Sequence, residues 1–274
     1  MIPRFRMLRL LAFAALVVLV GGAFMTAPAT SVTEGTLQAA VSLAAGSSVP
    51  VTASVDATIP AEWPLPTKRY IGKVVHSVVT KKHEVALTFD DGPSGNCETI
   101  IAMLKSADAS ATFFFCGRTI RGPGVADVHD AALAGMDVGN HTFNHVELRK
   151  VSPATWHAQV QLNEAVLERV IGFAPRFVRP RSGIYDRQTV VRAKADGLGL
   201  ILWSRSAADA GAHPSVAAIV RKVTSKVRSG DIILMHETNP DTAAALPAIL
   251  RELKRKGLKA VTVSRLLADA TKVR

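Results

Sequence analysis

The sequence predicts an α/β fold in which seven parallel strands alternate with helices and close into a distorted (β/α)7 barrel. Two observations support this prediction. Short apolar runs such as Val85–Phe89 recur between longer stretches with helical periodicity, and this alternation implies a parallel sheet. Polar, reactive residues follow most of these runs. Parallel strands of a barrel all end at one face, so side chains from many strands would converge there, whereas an open sheet gathers its site at one switch point.

The elements can be placed in chain order from local composition. Runs rich in apolar, β-branched and aromatic residues favour strands at Val85–Phe89, Ala111–Phe115, Asp137–Gly139, Phe177–Val178, Gly199–Trp203, Ile232–Met235 and Lys259–Thr262. Helices are expected at Thr99–Lys105, before Gly135, at Pro153–Ile171, between Asp186 and Gly197, at Ser215–Val227, at Thr242–Lys256 and at Ser264–Asp269. Ser152 and Asp186 are suitable N-cap residues, and Gly172 and Gly257 favour helix ends.

The first 80 residues are expected to lie outside the barrel. Residues 1–29 have the layout of a secretory signal, with three arginines, the apolar run Leu10–Met25 and the small residues Ala27–Ala29. The run is near the lower length limit for a membrane span, so an anchor that attaches the protein to the membrane is the alternative. Either way the protein is expected to be secreted or extracytoplasmic. Residues 30–80 are expected to form a linker or lead-in, with Tyr70–Val79 as a strand or hairpin arm outside the core, and residues 81–274 the folded domain.

The chain is basic, and part of its charge belongs to the N-terminal segment. Residues 1–30 hold three arginines and no acidic residue, which leaves 30 basic against 22 acidic residues and a net charge of +8 for the remainder. An anionic partner such as a wall polymer or membrane surface would account for this excess, but solubility accounts for most of it. No basic stretch interleaves aromatic residues as single-strand binders do, so no nucleic-acid partner is expected. The chain is expected to be a monomer.

The two cysteines leave two alternatives. An even cysteine count in an exported protein suggests a disulfide between Cys97 and Cys116. Both residues are expected near the same face of the barrel, but a disulfide also requires a suitable separation of their Cα atoms. Two free, partly buried thiols are the equal alternative.

Two adjacent carboxylates follow the first strand. Asp90 and Asp91 would repel each other unless a cation or a basic group lies between them. Gly92-Pro93 imposes a turn that can splay the two side chains. An ordinary surface turn is the alternative explanation of this motif.

Two histidines follow the third strand, four positions apart. On a helical turn His141 and His145 would share a face and could hold one divalent ion. With an aspartate from another strand end they supply two nitrogens and one oxygen. Such a set leaves a coordination position for water, as a catalytic metal requires.

These motifs resemble those of a known family. Leu87–Pro93 and Gly139–His145 are similar to the first and second motifs of the polysaccharide deacetylases, the NodB-homology group or carbohydrate esterase family 4. Ala111–Phe114 and Leu234–His236 resemble the aromatic strand and the last motif of the same family. The resemblance covers roughly residues 82–267 in the right order, and implies a distorted (β/α) barrel, a divalent metal that is often zinc, and removal of acetyl groups from acetylated glycans.

The resemblance also implies a role for each motif residue. Asp91, His141 and His145 correspond to the ligands of one divalent ion, expected to be Zn²⁺, with Co²⁺ or another divalent ion as the alternative. Asp90 and His236 correspond to the general base and the general acid. The remaining expected site residues are Arg179, which pairs with the base, Asp209, which orients the acid histidine, and the substrate-binding residues Arg181, Ser182 and Leu234.

The sequence departs from the family's usual motifs. The third motif reads Arg179–Gly183 with Arg181-Ser182 in place of proline and an aromatic residue. In the fourth motif Ser206 replaces an aspartate and Ala210 a tryptophan, and Val146 replaces the usual proline after the second histidine. Arg181 would either point into the substrate-binding groove expected at the strand ends, where it would meet an anionic substrate, or remain a solvated loop side chain.

We therefore expect a metal-dependent hydrolase that removes acetyl groups from N-acetylated amino sugars of a peptidoglycan- or chitin-like wall polysaccharide. An esterase that opens O-acetyl esters, such as those of acetylxylan, would use the same site. The altered third and fourth motifs also leave open a glycan-binding pseudoenzyme. Retention of Asp90 and His236 argues against that alternative, because binding alone needs neither an acid nor a base.

Overall fold

The computed structural model describes residues 70–211 and 214–274. The expected signal or anchor segment, residues 1–29, and the lead-in as far as residue 69 lie outside the described residues. Within the described ranges no helix is both long enough and apolar enough to cross a membrane.

Strands and helices alternate through the described part of the chain. The strands are β1 (Val74–Val75), β2 (Val78–Thr80), β3 (Glu84–Asp90), β4 (Thr112–Phe115), β5 (Asp137–Asn140), β6 (Phe177–Val178), β7 (Gly199–Ile201), β8 (Arg205–Ser206), β9 (Ile232–His236), β10 (Lys259–Val261) and β11 (Ala270–Val273). The α-helices are α1 (Cys97–Ser106), α2 (Pro123–Leu133), α3 (Pro153–Trp156), α4 (Leu162–Ile171), α5 (Arg187–Ala195), α6 (Val216–Thr224), α7 (Pro240–Arg255) and α8 (Val263–Ala268). Short 3₁₀ turns lie at Gly117–Thr119 and Arg181–Gly183, and a π turn at His157–Gln161 joins α3 to α4.

The main sheet is parallel and curls into the expected barrel. Its strand order is β1-β7-β6-β5-β4-β3-β9-β8. Only residues 202–204 separate β7 from β8, and β8 pairs with β9, so this stretch of chain brings the two ends of the sheet together. β3 is central, because it pairs with β9 over Ala86–Asp90, with β4 in its second half and with β10 in its first half. The fold prediction is confirmed, although the expected strand Gly199–Trp203 is shortened to Gly199–Ile201 and β8 was not expected.

Alternation along β3 separates the outer core from the barrel interior. Val85, Leu87 and Phe89 pack outward in a buried apolar cluster, whereas Ala86 packs inward against Phe114 and Val261 in another cluster. Successive strand residues face opposite sides, so Thr88 and Asp90 follow Ala86 into the interior. Both are buried, with exposures of 0% and 2%. The polar site is therefore built on the inner face of an otherwise apolar barrel.

Several helix ends form as the sequence indicates. Ser152, Asp186 and Ser215 each accept a hydrogen bond from the backbone N–H three residues later, which satisfies a donor otherwise unpaired at a helix start. Gly172 ends α4 in the left-handed region with φ of 82°. These local signals succeed because they depend on side chains within one turn of the helix end.

The folded domain begins earlier than residue 81. β1 pairs in parallel with β7, and β2 pairs antiparallel with β11 in a small second sheet. Val75 and Val78 are buried, so Tyr70–Val79 does not pack outside the core as expected. β11 was not expected from the sequence. The partners of β1 and β2 are more than 100 residues away in the chain, and local composition carries no information about them.

The cysteines are two free, buried thiols in the structure. Burial, reinforced by the negative charges of Glu237 beside Cys97 and Asp91 beside Cys116, raises the pKa of both thiols. They are therefore protonated and unreactive at neutral pH.

Candidate active site

One cluster of possible metal ligands occurs among the described residues. Asp91 Oδ1 lies 3.3 Å from His141 Nε2 and 3.1 Å from His145 Nε2. The ligand atoms of the three residues all lie within 4.8 Å of one another. Two nitrogens and one oxygen at these separations form a set that could hold one divalent ion and leave a position free. The tertiary structure thus brings together the three residues that the sequence predicts.

The loop after β5 does not hold its histidines on a helical turn. Residues 141–148 form no helix, and Thr142 and His145 adopt left-handed backbone with φ of 66° and 57°. Asn140 Oδ1 accepts a hydrogen bond from the Thr142 N–H at 2.8 Å. The expected helical turn is wrong, because the Asn140 side chain and the left-handed residues replace helical hydrogen bonds. The two imidazoles nevertheless share a face, with ring centroids 4.8 Å apart.

The surroundings of both imidazoles suit metal binding. His141 Nδ1 lies 2.7 Å from the Arg179 carbonyl, and a carbonyl only accepts, so Nδ1 carries the proton and Nε2 presents a lone pair. Burial, together with the positive charges of His141, Arg181 and Arg118, lowers the pKa of His145. The Nε2 atom of His141 and the lowered pKa of His145 both suit coordination of a metal, which binds a deprotonated ring nitrogen.

Asp91 is held ionised in an unusual conformation. Its φ is 75°, in the left-handed region that a non-glycine residue seldom adopts. Burial opposes ionisation, but the polar contact with His141 and the charges of the neighbouring imidazoles bring the pKa of Asp91 down to about 2. Asp91 Oδ1 is shielded from solvent and has no well-aligned hydrogen-bond donor. A buried anionic oxygen of this kind fits a cation among the three residues.

Asp90 is paired with a buried guanidinium. Arg179 Nη1 lies 2.6 Å from Asp90 Oδ1 and also donates to Thr88 Oγ1 at 2.8 Å. The remaining Arg179 donors reach the Ile201 and Leu202 carbonyls, and its guanidinium lies 4.0 Å from the Phe114 ring centroid. Burial lowers the pKa of Arg179, opposed by Asp90. Arg179 thus fixes the position of the Asp90 carboxylate and offsets its charge.

His236 is oriented by Asp209. His236 Nδ1 donates to Asp209 Oδ1 at 2.9 Å, and the His236 N–H donates to Asp209 Oδ2 at 2.8 Å. Burial acts against protonation of His236, but the hydrogen bond that it donates to Asp209 and the charges of Asp90 and Asp91 outweigh burial and raise the pKa of His236. Hydrogen bonds from His236 and Thr242, opposing burial, lower the pKa of Asp209. Asp209 thus orients the imidazole and favours its protonated form, and Nε2 is the ring nitrogen that does not contact Asp209.

The three expected substrate-binding residues lie around this cluster. Arg181 and Ser182 are exposed on the 3₁₀ turn after β6, and Ser182 has a left-handed backbone with φ of 55°. Leu234 lies two positions before His236 on β9, so both side chains face the same side of the strand. The Arg181 N–H donates to the Val146 carbonyl at 3.3 Å, which ties this turn to the histidine loop.

The structure adds residues that the sequence did not single out. Thr88, Asn140 and Thr242 each hydrogen-bond a residue of the cluster or its loop. Glu237 is fully buried beside the Asp91 turn, and burial, with the charges of Asp127 and Asp91, raises the pKa of Glu237 to about 7 against hydrogen bonds from Ser94. The only sequence signal for Glu237 is its position next to His236.

Comparisons with known proteins agree with this architecture. A family model described as polysaccharide deacetylase matches residues 77–201. The peptidoglycan-N-acetylglucosamine deacetylase of Bacillus cereus is 34% identical over 203 residues, which cover 72% of this chain and 93% of the relative. A solved peptidoglycan N-acetylglucosamine deacetylase is 31% identical with a TM-score of 0.68, over 76% of this chain and 97% of that one. A solved CE4 family pseudoenzyme from Bacillus anthracis is 27% identical with a TM-score of 0.66, over 72% and 69% of the two chains.

A curled parallel barrel with carboxylates and imidazoles gathered at the carboxyl ends of its strands defines a class of barrel hydrolase. Within that class the chain belongs to the polysaccharide deacetylase family, carbohydrate esterase family 4. The resemblance of its motifs to this family is thereby confirmed, and the chain is a polysaccharide deacetylase.

Proposed function

We propose that this protein is a metal-dependent N-deacetylase that removes acetyl groups from N-acetylated amino sugars of a cell-wall polysaccharide. The observation that carries the proposal is the arrangement of two paired side chains around the Asp91–His141–His145 cluster. Asp90 is paired with Arg179, and His236 is paired with Asp209. A hydrolase of this kind needs a carboxylate base and an imidazole acid, both within reach of the reacting groups.

The cluster fits a single divalent ion, which we propose to be Zn²⁺. The buried Asp91 Oδ1 without a well-aligned donor and the Nε2 lone pair of His141 support this choice, since two imidazoles and one carboxylate are a typical catalytic zinc set. When bound, the ion would polarise the acetyl carbonyl and lower the pKa of water to about 7. Co²⁺ or another divalent ion would serve the same geometry.

Asp90 acts as the general base in this proposal. Its Oδ1 is engaged by Arg179, and its Oδ2 lies 3.5 Å from His141 Nε2, at the edge of the metal cluster. Asp90 is thus fixed in place with one oxygen directed toward the position of the attacking water, whose proton it takes. Arg179 orients the carboxylate through its contact with Oδ1 and offsets its negative charge.

His236 acts as the general acid. Asp209 accepts the Nδ1 proton, so Nε2 is the nitrogen that donates to the departing amine. The raised pKa of His236 favours the protonated ring, from which the proton is donated. Arg181, Ser182 and Leu234 border the cluster and are proposed to contact the sugar or its acetyl group.

The substrate is proposed from the relatives together with the charge near the site. The relatives are named peptidoglycan N-acetylglucosamine deacetylases, which favours a wall glycan and an extracytoplasmic location. Arg118 and Arg181 are exposed, and neither forms an ion pair within the described residues. Both lower the pKa of His145, so their positive charge reaches the site. This charge suits a glycan that carries carboxylates.

A glycan-binding pseudoenzyme remains the second candidate, since one structural neighbour is a CE4 family pseudoenzyme. Against it stand the intact Asp90–Arg179 and His236–Asp209 pairs. An O-acetyl esterase would use the same groups with an alkoxide leaving group, which needs protonation less than an amine does.

Acetate release separates these candidates. The purified protein is assayed on wall peptidoglycan, chitooligosaccharide and acetylxylan in two states, loaded with Zn²⁺ and after treatment with a chelator. We expect metal-dependent acetate release from an N-acetylated glycan, with Asp90→Asn as the inactive control. Release only from acetylxylan would favour the esterase, and binding without release from any substrate would favour the pseudoenzyme.

A further inference from the structure

Glu237 is the most completely buried acidic residue next to the active site, with an exposure of 0%. None of the roles proposed above uses it. Its backbone N–H donates to the Asp90 carbonyl at 3.0 Å, so it extends the pairing of β9 with β3 one residue beyond His236. Its side chain then passes under the turn that follows Asp91.

Polar contacts join Glu237 to this turn. The Ser94 N–H donates to Glu237 Oε1 at 2.6 Å, and Asn96 Nδ2 donates to the Glu237 carbonyl at 2.9 Å. Ser94 Oγ is 3.4 Å from the same carbonyl. At 2.6 Å the hydrogen bond from Ser94 is short, and a buried carboxyl oxygen that lost it would be left without this donor. Both the carboxylate and the backbone of Glu237 therefore hold residues 94–96 in place.

The turn also packs tightly against the Glu237 side chain. A methyl group added at Gly92 would overlap Glu237 Oε2. A larger residue at position 92 would therefore displace either the turn or the Glu237 carboxyl group. On the other side the Gly92 carbonyl accepts from the Cys116 N–H at 2.8 Å and from Thr119 Oγ1 at 2.9 Å. Gly92 is thus held between the carboxylate and the loop after β4.

Asp91 lies between these fixed points. It precedes Gly92 and keeps a left-handed backbone with φ of 75°, which is unfavourable for a non-glycine residue. Such a backbone conformation persists only where contacts with the surrounding structure hold it in place. The residue before it, Asp90, is held by Arg179, and the turn after it is held by its hydrogen bonds to Glu237.

We infer that Glu237 is a positioning residue: its carboxylate fixes the turn 92–94 and thereby holds the Asp91 carboxylate in place for the metal cluster. The inference rests on the proposed metal site. It assigns to Glu237 no contact with substrate or metal. Groups that position a metal ligand commonly change metal affinity about 10- to 100-fold when removed.

The test measures Zn²⁺ affinity of the metal-free full-length protein by competition with a chromogenic chelator. We expect Glu237→Ala to bind Zn²⁺ about tenfold more weakly than the wild type. Glu237→Gln should recover much of this loss, because its amide oxygen can still accept from Ser94. Asp137→Ala is the matched control, since Asp137 is a buried carboxylate at the start of β5, the end opposite to His141. It should leave Zn²⁺ affinity unchanged.

A second comparison uses the contact with Gly92. Gly92→Ala alone should also weaken Zn²⁺ binding, because the methyl group displaces either the turn or the carboxylate. In a Glu237→Ala background the same change should cost much less, since the overlapping oxygen is gone. This non-additivity is the signature of a direct contact.

Three results would overturn the inference. Wild-type Zn²⁺ affinity in Glu237→Ala would show that the carboxylate does not position Asp91. An equal loss in Asp137→Ala would show a general effect of removing a buried carboxylate. A wild-type protein that binds no divalent ion would mean that the proposed metal site is wrong, and the role of Glu237 would be rejected with it.

Discussion

Asp90 and His236 are register partners on the adjacent parallel strands β3 and β9. The two side chains come from opposite ends of the folded domain, yet strand pairing sets them side by side at the carboxyl end of the barrel. Each has its own buried partner, Arg179 for the carboxylate and Asp209 for the imidazole. The base and the acid of the proposed mechanism are therefore fixed relative to each other by backbone hydrogen bonds.

The first prediction concerns metal content. We expect the purified protein to hold one divalent ion per chain. His141→Ala or His145→Ala should lose it, because the two ligands that remain in each variant are too few to hold the ion. Elemental analysis of each variant measures this. His83→Ala is the control, as His83 is exposed and lies just before β3, at the end of the strand opposite to Asp90. Equal metal content in all four proteins would contradict the assigned ligands.

The second prediction concerns the base. Asp90→Asn should retain the metal but lower kcat by about 10² or more, the scale expected for loss of a general base. Asp108→Asn, at an exposed carboxylate far from the site, should leave kcat unchanged. Steady-state acetate release with parallel metal analysis measures both effects. Wild-type turnover by Asp90→Asn would require another base.

The third prediction concerns pH. The raised pKa of His236 keeps the acid protonated, and activity should fall as pH rises through that pKa. Asp209→Asn removes the carboxylate that favours the protonated ring, so the alkaline limb of kcat/KM should move to lower pH. Asp231→Asn, just before β9, should not move this limb. A limb unchanged in Asp209→Asn would assign it to a group other than His236.

The fourth prediction concerns Arg181. If it lines the groove, glycans with a carboxylate near the cleaved amide should be preferred over neutral chitin-like chains. Because Arg181 is exposed, the preference should be modest, about two- to fivefold in kcat/KM, and should decrease with added salt. Arg181→Pro should abolish it, and Arg187→Ala, at an exposed arginine on α5, should not. An unchanged preference in Arg181→Pro would identify Arg181 as a surface side chain.

Much of the site could be predicted because its residues lie at strand ends with recognisable local patterns. Asp90, Asp91, His141 and His145 occur in short motifs whose chemistry is visible in the sequence. Glu237 has no such pattern, because an isolated acidic residue is usually exposed. Its burial results from the pairing of β9 with β3 and from the approach of a turn more than 140 residues away in the chain.

The sequence by itself determined the alternation of strands and helices, the main helix caps and the types of reactive residue at the strand ends. These depend on side-chain periodicity and on contacts within one or two turns of the chain. Only the tertiary structure decided the closure of the barrel through residues 199–206 and the pairing of β1 with β7 and of β11 with β2. It also decided the loop with left-handed residues that presents His141 and His145. Those features depend on contacts between distant segments, which local patterns do not encode.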